Sequence, residues 1–356
     1  MRYLGIDVHS KACVWCLLNA QGEIVEQGST ETTIPVLQAL VTRLGKDDEL
    51  LAGQEVGAMA YLVHDALKEA GVRLLSFNAA HLRMIAASRK KTDRRDVYWI
   101  ARALQTGMTP HEVYIPVGEV RELRGLLHRR EVIQRDFVRW RHRAKSQLRA
   151  SGLLVSRGLR NLRGAIAAQI ESCTEGVDGL LLDGIGLCER NMELLSEELA
   201  HVDAQLRRRT EHIEAIQRLM TIPGVGDIVA TTLYACIGDV TRFPNAKSLA
   251  AYVGLVPSVR QSADTNVLGR ITKQGSPQLR KLLVQAAHAV SSRCQTDAAR
   301  PIQSTYERIR GTRGRRKVAL VALARHLLRL AYYILRDGTC YDAERLGAER
   351  TAAAAA

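Results

Sequence analysis

The sequence lacks a framework of cysteine spacings and an uninterrupted apolar run of membrane-spanning length. Its seven cysteines are scattered along the chain, which predicts reduced thiols in a cytosolic protein. Cys13 and Cys16 form one Cys-x-x-Cys pair, but no second pair follows at zinc spacing, and a strand would point the two side chains to opposite faces. We therefore expect no zinc or redox role for this pair.

The most apolar late stretch, "VALVALARHLLRLAYYIL", is interrupted by Arg325, His326 and Arg329. It predicts an amphipathic or buried helix, so we expect no membrane span, and we expect no signal peptide. A Gly-x-x-x-x-Gly-Lys-Ser/Thr loop is also missing. Its absence excludes ATP-driven chemistry of the P-loop type.

Positive charge is in excess and is concentrated in one part of the chain. The 356 residues include 51 lysines and arginines against 37 aspartates and glutamates, a formal net charge of +14. Residues 81–160 alone hold 19 basic and 7 acidic side chains. This balance favours a polyanionic partner, and nucleic acid is the leading candidate.

The first 115 residues alternate between strand-like runs and helical spacings. Three β segments lead from "RYLGID" to "EIVEQG", and a helix follows. The run "LLAGQEVG" predicts a buried strand that ends at Glu55, and a second helix precedes the strand "VRLLSFN". This order predicts an α/β layer with a mixed sheet.

Two long helical patterns come next. Apolar residues recur at threes, fours and sevens from Leu126 to Leu148, and again from Leu195 to Met220. We predict an antiparallel helical hairpin or short coiled-coil arm. Its role would be a spacer or a dimer stalk, and its arginine face could equally lie along a nucleic-acid backbone.

The last part is predicted to be mainly helical and opens with a glycine loop. In "LMTIPGVGDIVATTLY", Gly224 and Gly226 lie between helical segments, as in helix-hairpin-helix modules whose N–H groups bind a phosphate. We predict an α/β domain, a basic helical arm, a helical domain with this loop, and a basic helical tail with a disordered end, at residues 1–115, 116–215, 216–300 and 301–356.

Four acidic residues stand at the ends of predicted elements. Asp7 and Glu55 each end an apolar strand, where an ionised carboxylate is costly to bury without a cation or hydrogen bonds. Asp93 and Asp96 open the helix of "KTDRRDVYWIARAL", where they share one face and could simply stabilise its first turn. If all four converge, their oxygens suit Mg²⁺ or Mn²⁺ and phosphodiester chemistry.

These motifs, in this order, resemble a known family. "GIDVHSK", "QEVGAMAY", "KTDRRDVYWIARAL", "IPGVGDIVATTLYACIGDVTRFPNAKSLAAYVGLVP" and "RITKQGSPQLRKLL" are similar to stretches of the transposases of the insertion sequence 110 and 1111 group and of the related Piv-type DNA invertases. The resemblance runs from about Met1 to Leu283. Each motif alone is weak, and their order and spacing together are specific.

The resemblance implies a RuvC-like, ribonuclease H-type domain with a divalent-metal site at Asp7, Glu55, Asp93 and Asp96. It also implies a serine nucleophile after "GLVP", at the position of Ser262. The glycine that follows this serine in the family is Ala263 here. Ser262 lies in a predicted flexible polar loop between Arg260 and Arg270, and Ser258, four residues upstream, stays as a rival. Ser276 is a weaker rival because Pro277 predicts a helix N-cap there.

The implied activity is DNA recombination through a phosphoserine link. Implied partners are the DNA of element ends and target, a structured noncoding RNA and further copies of the chain, in a prokaryotic, nucleoid-associated setting. Basic and glycine residues near these motifs are candidate nucleic-acid contacts: Arg94, Arg95, Arg139, Arg141, Arg143, Gly224, Gly226, Arg270 and Lys273.

Three other functions stay open. A RuvC-type nuclease would use the acids and metal-bound water to hydrolyse branched DNA, and it would form no covalent adduct. An actin-like sugar kinase shares the "LGIDVHS" strand but needs glycine-rich phosphate loops, and this chain has no adjacent glycine pair. An architectural nucleic-acid binder would show no Mg²⁺-dependent strand cleavage.

Overall fold

A computed structural model describes residues 1–46, 48–79, 81–82, 92–152, 179–262, 265–311 and 315–344. In the segments 260–262 and 265–268 it describes the backbone alone. The chain divides into two compact units, Met1–Pro116 and Val117–Ala356, and each is considered by itself.

The first unit is built on a mixed five-stranded sheet. The strands are β1 (Arg2–Val8), β2 (Ala12–Leu18), β3 (Ile24–Glu31), β4 (Leu50–Glu55) and β5 (Arg73–Phe77). Their spatial order is β3-β2-β1-β4-β5. Strand β2 pairs antiparallel with both β1 and β3, whereas β4 pairs parallel with both β1 and β5. The predicted mixed sheet is present, and β4 ends at Glu55 as its apolar pattern predicted.

Helices cover both faces of this sheet. One face packs on α1 (Ile34–Leu44) and α2 (Ala60–Glu69), through a core that includes Leu4 and Ile6 of β1. The other face packs on α3 (Asp93–Thr106), where Tyr3 of β1 contacts the core around Val97. Side chains alternate along a strand, so one strand supplies both cores.

Gly5 sets how closely α3 approaches the sheet. A Cβ atom at this position would overlap the carbonyl oxygen of Val97 and crowd the backbone nitrogen of Ala101. Only glycine allows the helix backbone to lie directly on β1 at this point. The N-terminus of α3 is thereby held near the carboxyl end of β1.

Cys13 and Cys16 lie on opposite faces of β2, as predicted. Cys13 belongs to the core under α1 and α2, and Cys16 to the core under α3. Burial raises the pKa of the Cys13 thiol to about 12 and that of Cys16 to about 11. Both side chains are fully buried in these cores, where they pack against apolar neighbours.

The second unit contains two long antiparallel helices, α4 (Gly118–Ala150) and α5 (Gly179–Thr210). Ion pairs fix their direction, since Arg209 contacts Glu122 near one end and Arg129 lies 2.9 Å from Glu198 further along. Towards the other end, four buried side chains form a separate small cluster, Ala144, Leu148, Ile185 and Cys188.

The sequence had suggested one continuous helical pattern from Leu195 to Met220, but the structure divides it into two helices. Helix α5 ends at Thr210, and α6 (Glu214–Met220) starts after a short turn. The Thr210 hydroxyl donates to the Leu206 carbonyl oxygen at 3.0 Å, which is a local bond that competes with helix continuation. Ile213 and Ile216 then point into the main core of the unit.

The main core of the second unit joins the first turns of α4 and the last turns of α5 to the C-terminal helices. These are α7 (Asp227–Ile237), α8 (Ala246–Val253), α9 (Pro277–Ser292), α10 (Arg300–Arg310) and α11 (Arg316–Asp337), with short 3-10 turns at Val240–Arg242 and Asp297–Ala299. The prediction of a mainly helical C-terminal part is confirmed.

Between α8 and α9 the chain forms a β-hairpin, so the prediction of a flexible loop there was wrong. Strands β6 (Pro257–Ser262) and β7 (Thr265–Ile271) pair antiparallel, with Ser262 opposite Thr265. β-branched residues at alternate positions, such as Val259, Thr265 and Val267, favour strand conformation. Residues 263 and 264 lie outside the described part of the chain.

Helix α11 is the one described helix that is long and apolar enough to cross a membrane, by length and composition alone. Half of its most apolar window is buried inside the second unit. Leu323, Leu327 and Ala331 belong to the main core. Such packing is typical of the core helix of a folded domain.

Candidate active site

Asp7 and Glu55 stand at corresponding positions on two neighbouring parallel strands. Ile6 of β1 pairs with Gln54 of β4, so the next residues of the two strands are Asp7 and Glu55. On the same strands Tyr3 and Leu51 contact the cores beneath α3. Because strand side chains alternate, Asp7 and Glu55 also lie on the α3 face of the sheet.

Helix α3 begins beside this edge with two acids. Its N-cap residue is Thr92, whose side chain makes no capping bond, while the N–H groups of Arg95 and Asp96 donate to the Thr92 carbonyl oxygen at 2.9 and 3.1 Å. Asp93 and Asp96 both lie in the first turn, where a negative charge favours the helix dipole. Neither aspartate is the N-cap itself.

Asp7, His9 and Asp93 form a group whose possible ligand atoms all lie within 4.8 Å of one another. The imidazole Nε2 of His9 is 3.3 Å from Oδ2 of Asp93 and 3.6 Å from Oδ2 of Asp7. Asp7 is 20% exposed, whereas the other two side chains are about half exposed, at 51% and 54%. The group is therefore open to a substrate.

Glu55 and Asp96 are not members of this group of three, and the convergence of all four acids stays a prediction. Glu55 is one strand further across the sheet, a step of about 4.8 Å. Asp96 is three residues beyond Asp93, a rise of about 4.5 Å along the helix axis. The two acids flank the group of three, and both are half-buried.

His9 was missed at the sequence level. It stands two residues after Asp7 in "GIDVHSK", and this spacing in an extended segment places two side chains on one face. That spacing was the available signal. Two carboxylates with one imidazole offer ligand atoms for a divalent cation.

The three candidate serines occupy different local structures in the second unit. Ser262 is the last residue of β6. Ser258 is exposed near the start of the same strand, with its Oγ directly over Gly269 of β7. Ser276 is the N-cap of α9, because its Oγ accepts from the Leu279 N–H at 3.2 Å, as predicted from Pro277.

Arg280 ties the base of this hairpin to its surroundings. Its guanidinium donates to the carbonyl oxygens of Val253 at 2.9 Å and Gly275 at 3.2 Å, and also to that of Gln274. Burial lowers the pKa of Arg280. Lys273, between these segments, is exposed and has a positive φ of 57°, which is uncommon for a residue other than glycine.

The predicted phosphate loop separates α6 from α7. Gly224 has a φ of +82°, and a Cβ there would lie 3.0 Å from both the Ala286 carbonyl oxygen and the Val290 Cβ of α9. This glycine thus has a packing role. Gly226 is the N-cap of α7, and a Cβ there would meet no atom within 4 Å. Nucleic-acid contact by either glycine stays a prediction.

The predicted basic residues differ in how they are presented. Arg94 and Arg95 are exposed beside Asp93, and Arg270 is exposed on β7. On α4, Arg139 and Arg143 are exposed and share a face, with Arg143 stacked 4.4 Å from the centre of the Trp140 ring.

Arg141 does not belong to that face. Residues two apart on a helix are separated by about 200°, so a face with Arg139 and Arg143 cannot include it. Its side chain is half-buried, and its Nε has no hydrogen-bond partner among the described residues. The predicted face of three arginines therefore reduces to two.

Comparison with known proteins places this arrangement among transposases. A sequence model of DEDD transposases of the IS110 type matches residues 4–151, and the model of the transposase IS116/IS110/IS902 family matches residues 216–303. The first match contains the group formed by Asp7, His9 and Asp93, and the second contains the β6–β7 hairpin.

Individual relatives agree. The chain is 30% identical to the probable family 20 transposase of Pseudomonas aeruginosa over 70% of this chain and 75% of that protein. It is 26% identical to the transposase for insertion sequence element IS1328 of Yersinia enterocolitica over 64% of this chain and 67% of that protein. A pilin gene-inverting protein of Moraxella bovis is 31% identical over 35% of this chain and 38% of that protein.

The two matched regions and these relatives define a DNA-recombining enzyme of the transposase class. The chain belongs to the IS116/IS110/IS902 family of transposases. Membership in a DEDD transposase family implies a divalent-metal site, and the acids beside α3 are a candidate for it.

Proposed function

We propose that this transposase cuts and rejoins DNA through a serine nucleophile, assisted by a divalent-metal site formed by Asp7, Glu55, Asp93 and Asp96. The observation that carries the proposal is that the carboxylates of Asp7 and Asp93 both contact the imidazole of His9, although the two aspartates lie in separate elements and far apart in sequence. His9 is added to the site as a third ligand or as a hydrogen-bond partner of these acids.

The first unit is proposed to be ribonuclease H-like. Support comes from the sheet order β3-β2-β1-β4-β5 and from acids at the carboxyl ends of its two central parallel strands. A divalent cation bound there would stabilise the negative charge that develops on phosphodiester oxygens. The exposed guanidinium groups of Arg94 and Arg95 would hold the phosphate backbone beside the acids.

The covalent step is proposed for Ser262. Its Oγ forms a bond to phosphorus while one strand ester P–O bond breaks, and the hydroxyl proton passes to the leaving sugar oxygen. A serine hydroxyl is a weak nucleophile at neutral pH, so a base must take its proton. The reverse step, with a new sugar hydroxyl attacking the phosphoserine, rejoins the strand without ATP.

The proposed partners are DNA, a structured RNA and further copies of the chain. Arg139 and Arg143 form the exposed basic face of α4, which would run along a sugar-phosphate backbone. If the serine and the acids of one chain do not meet, a second chain would complete the active site.

Removing both acids of α3 tests whether Asp93 and Asp96 bind a metal ion or only stabilise the first turn of the helix. The Asp93→Ala, Asp96→Ala variant is expected to lose about a hundredfold or more of Mg²⁺- or Mn²⁺-dependent cleavage of DNA that carries element ends. Its folding stability should fall by only about 1 kcal/mol, since first-turn acids contribute about 0.3 to 1 kcal/mol each. Cleavage rates and thermal melting are measured on the same preparations.

The matched control is Glu214→Ala, which removes a first-turn acid from α6 in the second unit. It should change melting slightly and leave cleavage intact. A double variant of α3 that cleaves DNA at the normal rate and differs only in melting temperature would show that Asp93 and Asp96 are helix-stabilising residues.

Charge reversal on α4 tests the proposed backbone contacts. Arg139→Glu with Arg143→Glu should reduce the slope of log affinity against log salt by about 1.4 to 1.8 units for RNA or DNA, since each phosphate contact contributes about 0.7 to 0.9. The slope is measured by fluorescence anisotropy over a salt series.

Arg190→Glu with Arg207→Glu, two exposed arginines of α5, changes the net charge by the same amount and serves as control. An equal loss of slope in both variants would mean that the protein's overall charge, and not this face of α4, sets the salt dependence.

A further inference from the structure

A cleft in the second unit lies between α8, α10 and α11. Its volume is about 600 Å³, and α8 contributes Lys247, α10 contributes Arg308, and α11 contributes Arg325 and Arg329. Among the described residues that line it, none is acidic. Lys247 lies within a stretch that resembles the family, whereas Arg308, Arg325 and Arg329 lie beyond the end of the resemblance at Leu283.

Helix α11 has one apolar face, which packs in the core, and one basic face, which lines the cleft. Arg325, Arg329 and Tyr333 follow one another at intervals of four residues, so they lie on one face of α11. All three line the cleft. Leu323 and Leu327, on the other side, are fully buried in the main core. Packing of the apolar face fixes the basic face in place.

The four cations of the cleft have no ion-pair partner among the described residues. Elsewhere in the protein many arginines are neutralised, as in the contact between Arg130 and Asp203. Lys247, Arg308 and Arg329 are exposed, and Arg325 is half-buried. Like charges that converge on a concave surface repel one another and focus a positive potential, which an anionic ligand relieves.

We propose that this cleft binds the sugar-phosphate backbone of a nucleic acid, as a site separate from the acids of the first unit. Four cations from three helices can contact successive phosphates, whereas a single small anion would engage only some of them. Arg329 and Tyr333 also line a neighbouring cleft of about 430 Å³, but that cleft contains Asp337 and Asp342, so the proposed binding site is confined to the first cleft. The exposed Tyr333 ring is suited to stack on a base.

This inference goes beyond the proposed function, because it concerns binding and can be measured with no metal present. The full-length protein is titrated in EDTA with three labelled probes of matched length: duplex DNA, single-stranded DNA and an RNA hairpin. The test variant carries Lys247→Gln, Arg308→Gln and Arg329→Gln. All three residues are exposed, so we expect these substitutions to leave folding unchanged.

The control variant carries Arg190→Gln, Arg207→Gln and Arg208→Gln, which are exposed on α5 and remove the same net charge. The cleft variant should bind at least one probe about tenfold or more weakly than the control, with a salt slope about 2 units smaller than that of the wild type. The most affected probe identifies the strand that uses the cleft.

Equal affinities of the cleft and control variants for all three probes would overturn the proposal, since only the general field of the protein would then be involved. Metal-dependent cleavage is measured separately. A wild type that fails to cleave DNA contradicts the proposed function, whereas a cleft variant that binds like the control contradicts this inference alone.

Discussion

Replacement of Asp7 by asparagine is expected to lower metal-dependent DNA cleavage by about a thousandfold or more, equivalent to about 4 kcal/mol of transition-state stabilisation. Asp7 is the least exposed member of the group with His9 and Asp93, and it is the last residue but one of β1, the central strand of the sheet. Asparagine keeps the shape of the side chain and removes the charge that a divalent cation requires.

The fold should tolerate this change. Asp7 lies near the carboxyl end of β1, while the cores on both faces of the sheet are formed by apolar side chains. We therefore expect the melting temperature of the Asp7→Asn variant to stay close to that of the wild type. Affinity for nucleic acid in EDTA should also be preserved, because the basic residues are unchanged.

Asp65 offers a matched control. It forms an Asp–His pair with His64 on α2, where Oδ1 lies 3.2 Å from the imidazole Nδ1, on the helix layer opposite α3. The Asp65→Asn variant should cleave DNA like the wild type. Full activity of Asp7→Asn in Mg²⁺ and Mn²⁺, together with a lowered melting temperature, would instead make Asp7 a structural residue.

The parts of the fold that the sequence predicted are those with a strong apolar period. The run "LLAGQEVG" gave the buried strand that ends at Glu55, and "YLVHDALKEAG" gave α2. Ser276 before Pro277 predicted the start of α9, because a serine N-cap and a proline in the first turn act through local chemistry alone. Such signals do not depend on distant contacts.

The missed features depend on geometry between elements. The β6–β7 hairpin follows from the pairing of polar strands, in which period-two hydrophobicity is weak. The role of His9 requires the position of α3, which Gly5 sets by close packing. Glu55 and Asp96 are not members of the group of three, and sequence spacing does not resolve distances between side-chain oxygens.

The basic cleft also escaped sequence analysis. Lys247, Arg308, Arg325 and Arg329 come from three helices, and the most basic region of the sequence lies elsewhere, in residues 81–160. A local count of charge finds a dense segment but does not detect cations that folding brings together. The predicted basic helical tail, residues 301–356, contains Arg308, Arg325 and Arg329, but their sequence positions do not show that they converge with Lys247.

The Ser262→Ala variant is expected to form no covalent protein–DNA adduct and to lose strand transfer entirely. The rival serines each have a local structural role. Ser258 lies over Gly269 across the hairpin, and Ser276 caps α9. The proposed nucleophile, Ser262, is the last residue of β6, and it is chosen for its sequence position after "GLVP".

The comparison of three single variants separates these roles. Ser258→Ala should keep adduct formation within a few-fold of the wild type, because it removes only a hydroxyl that packs on β7. Ser276→Ala should lower stability by about 1 kcal/mol through loss of the cap while keeping the adduct. Adducts are trapped with a suicide DNA substrate whose cut end diffuses away, and the phosphoserine is located by mass spectrometry after digestion.

Two results would contradict Ser262 as the nucleophile, and they lead to different mechanisms. An adduct that survives Ser262→Ala and disappears in Ser258→Ala would move the nucleophile four residues upstream, and the contact of Ser258 with Gly269 would then orient the hydroxyl. Cleavage by the wild type without any adduct would indicate that water attacks the phosphodiester. Because hydrolysis releases the energy of the strand ester, that enzyme would be a nuclease, and rejoining would need a separate source of energy.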